Sequence, residues 1–396
     1  MAKRSALYSE NFNIEASNLL DADSANKRVV LAMSGGVDSC AAGILLHDAG
    51  YEVIGISMQV WDYRTHGGNS KRATCCSPSD FDDARKIAER RGFPFYVFDF
   101  EDSFKENVID KFVNTYLAGK TPNPCLDCNR KVKFHELRQR ARSFSAHKIA
   151  TGHYARIRNK SDGKKGLFTA RDLNKDQSYF LYALREQELL ETIFPVGDML
   201  KSEVREILSN DGYSLSSKPE SQDICFVSGT VSDFIEKKGV KSRPGLIINK
   251  NGEFLGNHEG IFNYTVGQRK GLGISSHNPL YVISIEPENN RVVVGNREDL
   301  ERDSFSASEV NWIQGSWPID HNGGFIKPLR VIAKLRYRHE GVICEVMPAE
   351  NDPDQSVTVR FVDDWTAVSP GQAVVFYSEN QEPDGAREVL GGGIIS

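Results

Sequence analysis

Apolar and polar positions follow two different rhythms along this chain. In the first half, short apolar runs alternate with stretches of helical spacing. Arg28–Met33 ("RVVLAM"), Glu52–Val60 ("EVIGISMQV"), Phe93–Phe100 ("FPFYVFDF") and His147–Ile157 ("HKIATGHYARI") read as four strands. Between them, Cys40–His47 is rich in Ala and Leu, and Ser79–Arg91 reads as a helix with Ser79 as its N-cap. Phe104, Val108, Phe112 and Tyr116 line one face of a further helix, and Phe134, Leu137, Ala141 and Phe144 one face of the next. Strands alternating with helices predict right-handed crossovers and an α/β domain, its parallel sheet covered on both faces. Ligands of such sheets sit beyond the carboxyl ends of the strands, where Ser34–Ser39 would lie.

After about residue 215 the helical period fades. Gly, Pro and Asn punctuate short β-rich runs such as "GLIIN", "YVISIE", "RVVVGN", "GVICEVM" and "AVVFY". Regular short strands with turn signals predict sandwiches or barrels. The expected division is a polar leader over 1–26, an α/β domain over 27–215, a small β-rich central domain over 216–300 and a second β-rich domain over 301–396.

A length of 396 residues suits this division, being too long for one ordinary core. With 39% hydrophobic and 26% charged residues the composition is that of a globular protein, and no apolar run reaches the length of a membrane span. The first residues lack the apolar centre of a signal peptide, so a cytoplasmic location without membrane association is expected. Seven cysteines, odd in number and irregularly spaced, argue against a disulfide framework and for chemistry or metal binding. A net charge of −5 exerts no global pull on nucleic acid, but local basic patches still set phosphate contacts.

The first chemical signal is "AMSGGVDS", Ala32–Ser39, where a strand ends in two glycines. Gly35 and Gly36 permit positive φ and close approach of backbone N–H groups to an anion, and the following helix aims its positive end at the same place. Ser34 and Ser39 add hydroxyls. Asp38 is unexpected beside phosphate unless it orders the loop or helps to hold Mg²⁺. The stretch lacks the Gly-Lys-Ser/Thr ending of kinase and GTPase loops. It resembles the PP-loop of ATP pyrophosphatases, which cleave ATP between the α- and β-phosphates and leave an adenylated substrate.

The cysteines discriminate among PP-loop enzymes. In "TPNPCLDCNRKVKF", Cys125 and Cys128 form Cys-x-x-Cys before a helix, with Arg130, Lys131 and Lys133 nearby to favour a thiolate. Cys225 stands in the polar "SQDICFV". A ligase using a nitrogen nucleophile needs neither thiol. A sulfur transferase needs one to carry a persulfide and one to release its terminal sulfur. Cys40 and Cys344 read as buried packing residues, and the vicinal Cys75 and Cys76 as incidental, with redox or metal roles as the alternative.

Taken together, "CCSPSDFDDARKIA", "ATGHYA", "KDQSYFLY", "NYTVGQRKGLGI" and "RYR", in order with the motifs already quoted, resemble the tRNA-specific 2-thiouridylase family over residues 28–396. The resemblance implies a PP-loop domain, a small central domain carrying Cys225, and a C-terminal β-barrel. It also implies ATP-dependent thiolation of the wobble uridine of tRNA, with a persulfide donor or relay protein as partner. Residue by residue, Ala32, Met33, Ser34, Gly35, Gly36, Val37, Asp38, Ser39, Met58 and Gly152 match ATP contacts. Cys128 matches the catalytic nucleophile and Cys225 the persulfide carrier. Asn123, Pro124 and Cys125 occupy the segment that touches the target base, and His153, Lys175, Asp176, Gln177, Arg336, Tyr337 and Gln372 match tRNA contacts. Cys125 departs from the best-known members, which carry aspartate there. That leaves a second possibility, an iron–sulfur cluster held by Cys125, Cys128 and Cys225. Another PP-loop thiolase and an adenylating ligase with a nitrogen nucleophile are the rivals.

Overall fold

The computed structural model describes residues 27–61, 78–219, 224–227, 229–315, 317, 328–350, 352 and 355–396. The leader, Cys75, Cys76 and residues 221–223 of the "SQDICFV" motif lie outside them. The chain forms two compact units. One comprises Met1–Asn107, Cys125–Phe226 and Gln381–Val389, and the other Val108–Pro124, Val227–Asn380 and Leu390–Ser396.

The first unit is built on a parallel sheet in the order β3-β2-β1-β4-β7, from β1 (Arg28–Ala32), β2 (Glu52–Gln59), β3 (Phe95–Asp99), β4 (Lys148–Thr151) and β7 (Thr192–Ile193). Its core joins Val29, Leu31 and Met33 to Cys40, Ile44 and Leu46 of α1 (Val37–Asp48) and to Ala84 and Ile87 of α2 (Pro78–Arg91). Ser79 lies inside α2, behind Pro78, and so is not its N-cap. Proline suits this first position because the N–H it lacks would have no partner in the helix.

The chain passes from β1 to β2 on one side, while β4 lies on the other. The carboxyl end of β1 is therefore a switch point of the sheet, where open α/β sheets form a crevice. Phe104, Val108, Phe112 and Tyr116 are buried as the helical period predicts, along consecutive helical segments Glu101–Phe104, Lys105–Asp110 and Lys111–Leu117.

The expected fourth strand divides. After β4 the chain leaves the sheet at Gly152 and resumes as β5 (Arg156–Asn159), which pairs with β6 (Lys165–Phe168) in a different sheet. A Cβ on Gly152 would lie 2.6 Å from the Ser39 nitrogen, so the chain bends where it meets the start of α1.

In the second unit, β8 (Gly245–Asn249), β9 (Phe254–His258), β10 (Tyr281–Glu286) and β11 (Arg291–Gly295) form one sheet over Ile247, Val282, Val292 and Val294. The C-terminal strands β12 (Ser304–Trp312), β13 (Leu329–Lys334), β14 (Val342–Pro348), β15 (Val357–Phe361), β16 (Ala373–Gln381) and β17 (Arg387–Ile395) run in the order β12-β15-β14-β13-β16-β17. Pairing of β12 with β17 closes them into a barrel around Val331, Val346, Val359 and Phe376. Among the described residues, the helices Glu186–Leu190 and Lys201–Asn210 in the first unit and α3 (Val231–Lys237) in the second went unpredicted. The cap of α3 is legible in the sequence, because Thr230 Oγ1 accepts the Asp233 N–H at 3.1 Å while Asp233 accepts the Thr230 N–H.

Candidate nucleotide and thiol site

The turn from β1 into α1 is held by its own serines. Ser34 N–H donates to Ser39 Oγ at 3.1 Å, the Ser39 hydroxyl donates to the Gly36 carbonyl at 3.1 Å, and the two hydroxyl oxygens are 3.3 Å apart. Gly35 has φ +73°, and a Cβ there would fall 1.9 Å from the Asp80 carbonyl oxygen. Both conformation and space demand glycine at this position. Gly36, by contrast, is extended at φ −83°, so of the two glycines only Gly35 uses the left-handed region. On the β2 side, Ser57 Oγ donates to the Met33 carbonyl at 2.5 Å, beside buried Met58. Ala32 ends β1, and Val37 is the first residue of α1.

Asp38 is explained by its partners. It accepts from Tyr154 Oη at 2.9 Å and from Lys201 Nζ at 2.5 Å. Tyr154 is itself bracketed by Gln177, whose Oε1 accepts the Tyr154 N–H at 3.0 Å and whose N–H donates to the Tyr154 carbonyl at 2.8 Å. Asp176 is buried, accepting from Ala170 N–H at 2.9 Å and from the Ser178 hydroxyl at 2.8 Å. Gln177, expected as a tRNA contact, thus braces the loop through Tyr154, while Asp176, expected likewise, is held by Ala170 and Ser178. Lys175 is half-buried beside them.

His153 packs between rings. Its centroid lies 6.0 Å from Phe134 and 6.1 Å from Phe194, and its Nδ1 is 2.7 Å from Thr151 Oγ1. Burial, with the Lys133 charge adding to it, lowers its pKa to about 3, so the imidazole is neutral at physiological pH and brings no charge to a phosphate.

A second lysine missed in the sequence is Lys218. Its ammonium reaches the Gly35 carbonyl at 3.1 Å, Asp80 Oδ1 at 2.5 Å and Asp83 Oδ2 at 2.9 Å. Nothing in its local sequence signals these partners, because Asp80 and Asp83 lie on α2, far away along the chain.

Cys125, Cys128 and Cys225 are thiols in the same compact unit as the glycine turn. Cys125 is exposed, and the other two are half-buried. Pro124 opens the short helix Pro124–Asp127, after half-buried Asn123, and Cys128 begins the next helical segment, Cys128–Phe134. The neighbouring Asn129 is buried and donates to the Phe180 carbonyl at 3.2 Å. Cys225 lies in a turn anchored by Phe226, whose ring packs 5.6 Å from Phe104 and 6.5 Å from Trp61. Among the described residues no three His, Cys, Asp or Glu side chains converge as a metal site. Burial pushes the Cys40 thiol far up and that of Cys344 to about 12, which leaves both inert.

Each unit also carries a polar cleft. One in the first unit, of about 440 Å³, is lined by Arg130, Lys131, Arg138 and Arg185 with Glu136 and Glu188. One in the second unit, of about 280 Å³, brings together Arg336, Gln372, Gln268, His339 and Thr121. Tyr337 follows Arg336 in the chain, and Gln372 Nε2 donates to the Thr121 and Pro122 carbonyls at 2.9 and 3.2 Å. No helix among the described residues is long and apolar enough to cross a membrane.

Three family models match in succession. They are a tRNA methyl transferase HUP domain over residues 27–229, a tRNA methyl transferase PRC-barrel domain over 232–296 and an aminomethyltransferase beta-barrel domain over 302–395. The chain is 45% identical to the tRNA-specific 2-thiouridylase MnmA of Geotalea uraniireducens, over 93% of this chain and 95% of that protein. It is 44% identical to the protein of the same name from Geobacter metallireducens, over 94% and 98%. Among solved structures, the NMN synthetase from Francisella tularensis aligns with 55% of this chain and 75% of its own at a TM-score of 0.35 and 14% identity.

Proposed function

Because this chain belongs to the tRNA-specific 2-thiouridylase family, we propose that it replaces the 2-oxygen of the tRNA wobble uridine with sulfur at the expense of ATP. The observation that carries this reading is that Cys128 and Cys225, both half-buried thiols, belong to the unit that holds the Ser34–Ser39 turn. A methyl transferase, the activity named in two of the family-model descriptions, needs neither a pair of thiols nor an ATP loop.

The chemistry starts from a poor leaving group. The uracil 2-oxygen attacks the α-phosphorus of ATP, and pyrophosphate leaves into the donors of the Ser34–Ser39 turn. The carbonyl oxygen then departs as part of AMP. A persulfide on Cys225 supplies the sulfur. The Cys128 thiolate attacks the Cys225 sulfur, a Cys128–Cys225 disulfide forms, and the terminal sulfur is released as hydrosulfide to attack carbon 2. A thiol reductant resets the disulfide, and a persulfide donor or relay protein reloads Cys225.

The target base must leave the anticodon stack, which costs little for a loop nucleotide. Asn123, Pro124 and exposed Cys125 supply the surface beside Cys128 for it, while Lys175, Arg336, Tyr337 and Gln372 hold the tRNA. Mg²⁺ travels with the ATP phosphates, since Asp38 is already engaged by Lys201 and Tyr154. An α/β domain ahead of two β-rich domains agrees with the succession of family models.

The test is a thiolation assay with iron-free protein, tRNA, ATP and a persulfide donor. Cys128→Ser and Cys225→Ser should each abolish 2-thiouridine while tRNA-dependent release of pyrophosphate continues. Undiminished thiolation by Cys225→Ser would reject the persulfide route, and strict dependence on added iron would restore the cluster.

A further inference from the structure

Lys218 belongs to no motif that the proposed chemistry uses, yet it touches the glycine turn directly. Its three ammonium hydrogens face three acceptors: the Gly35 carbonyl at 3.1 Å, Asp80 Oδ1 at 2.5 Å and Asp83 Oδ2 at 2.9 Å. Asp80 is buried, and its own carbonyl lies where a Gly35 Cβ would be. Lysine, carboxylates and turn therefore form one close-packed assembly.

From this geometry we propose that Lys218 is a positioning residue that locks the Gly35–Gly36 peptide of the nucleotide loop in its anion-binding orientation. In a planar trans peptide the C=O and the N–H point in opposite directions. Holding the Gly35 oxygen directs the Gly36 N–H away from the ammonium, as a fixed donor. A peptide between two glycines has little steric resistance to flipping, and flipping would replace that donor with a carbonyl oxygen facing the phosphate.

Lys218 does not act by attracting the anion. Its charge is more than balanced by Asp80 and Asp83, so the cluster carries a net negative charge. Burial disfavours the charged form, but hydrogen bonds to both carboxylates outweigh it and raise the pKa, so the ammonium persists at physiological pH.

The inference rests on the nucleotide-loop reading of Ser34–Ser39, and the experiment separates the two. The full chain is titrated calorimetrically with inorganic pyrophosphate and, separately, with adenosine, and each variant's thermal unfolding is recorded. Lys218→Met should weaken pyrophosphate binding by about ten-fold or more, as loss of a preorganised donor does, and leave adenosine binding unchanged. The double variant Lys218→Met/Asp83→Asn keeps Asp80 and so returns the cluster to its wild-type net charge without restoring the lock, and should stay weak. Asp83→Asn alone keeps the fold and the lysine, and should cost about two- to three-fold through loss of one charged hydrogen bond. If Lys218→Met unfolds, this variant decides the question.

Wild-type pyrophosphate affinity in Lys218→Met overturns the lock, as does its recovery in the double variant or an unaltered Asp83→Asn. A wild-type chain that binds neither pyrophosphate nor ATP removes the nucleotide-loop reading itself, and the lock with it. One that binds both but forms no 2-thiouridine removes only the substrate assignment, and the Lys218 results still decide the lock.

Discussion

His153 shows how a single side chain changes meaning once its neighbours are known. Between Phe134 and Phe194 its pKa falls to about 3, chiefly through burial. A histidine in the unfolded chain titrates near 6.5, so as pH falls the unfolded state takes the proton first. The stabilising contribution is complete above about pH 6.5 and is lost progressively as pH drops toward 3. Between pH 7.5 and 5.5 the protein should lose about 1 kcal/mol that a His153→Phe variant keeps. Denaturant midpoints at the two pH values check this, and parallel losses in both proteins would refute it. The sequence showed the histidine inside "ATGHYA" but could not show the two rings, which come from distant segments. Lys201 and Lys218 were illegible for the same reason, since their partners are far away along the chain. The glycine turn was legible because its serines and glycines act on one another locally.

At the scale of elements, hydrophobic period found β1 to β4 and the helices between them but failed at "HKIATGHYARI". Continuous apolar character could not reveal that Gly152 must press against the start of α1, which divides the strand. Beyond the break the chain forms β5 and β6, and Glu388 and Val389 of β17 pair with β6. Buried Arg156 secures this arrangement. It donates to the Thr169 carbonyl at 2.6 Å and, with Arg158, to Asp384 at 2.6 Å. Asp384→Ala withdraws the nearer of two carboxylates shared by both guanidinium groups, leaving Asp198 at 3.5 and 3.7 Å. Because Asp384 is 43% exposed, solvent screening limits the loss to about 1 kcal/mol, well below the cost of breaking a fully buried pair. Hydrogen exchange should quicken first in β5, β6 and residues 387–389, and uniform exchange across the first unit would show that the pair holds nothing in particular. The helix α3 was missed for a different reason. Its Thr230–Asp233 cap is in the sequence, but seven residues are too few for a periodic signal to emerge.

For the whole molecule, a net charge of −5 makes indiscriminate attraction to RNA untenable, so binding must come from local cationic groups. In the second unit Arg336 lines a cleft with Gln372, one charged and one neutral, and this difference permits a clean separation. Neutralising a phosphate releases counterions, and each such contact contributes about −0.7 to −0.9 to the slope of log affinity against log salt. If Arg336 meets a phosphate, Arg336→Ala should weaken tRNA binding and make that slope shallower by about 0.7 to 0.9. Gln372→Ala removes the donor to the Thr121 and Pro122 carbonyls and carries no charge, so binding should weaken with the slope unaltered. Neither substitution touches the Ser34–Ser39 turn, and pyrophosphate affinity should stay at the wild-type value in both. Filter-binding or fluorescence titrations across a range of salt concentrations supply the measurement. An unchanged slope in Arg336→Ala would remove this cleft from the tRNA path and leave its basic counterpart around Arg130, Lys131 and Arg185 to account for the phosphate contacts.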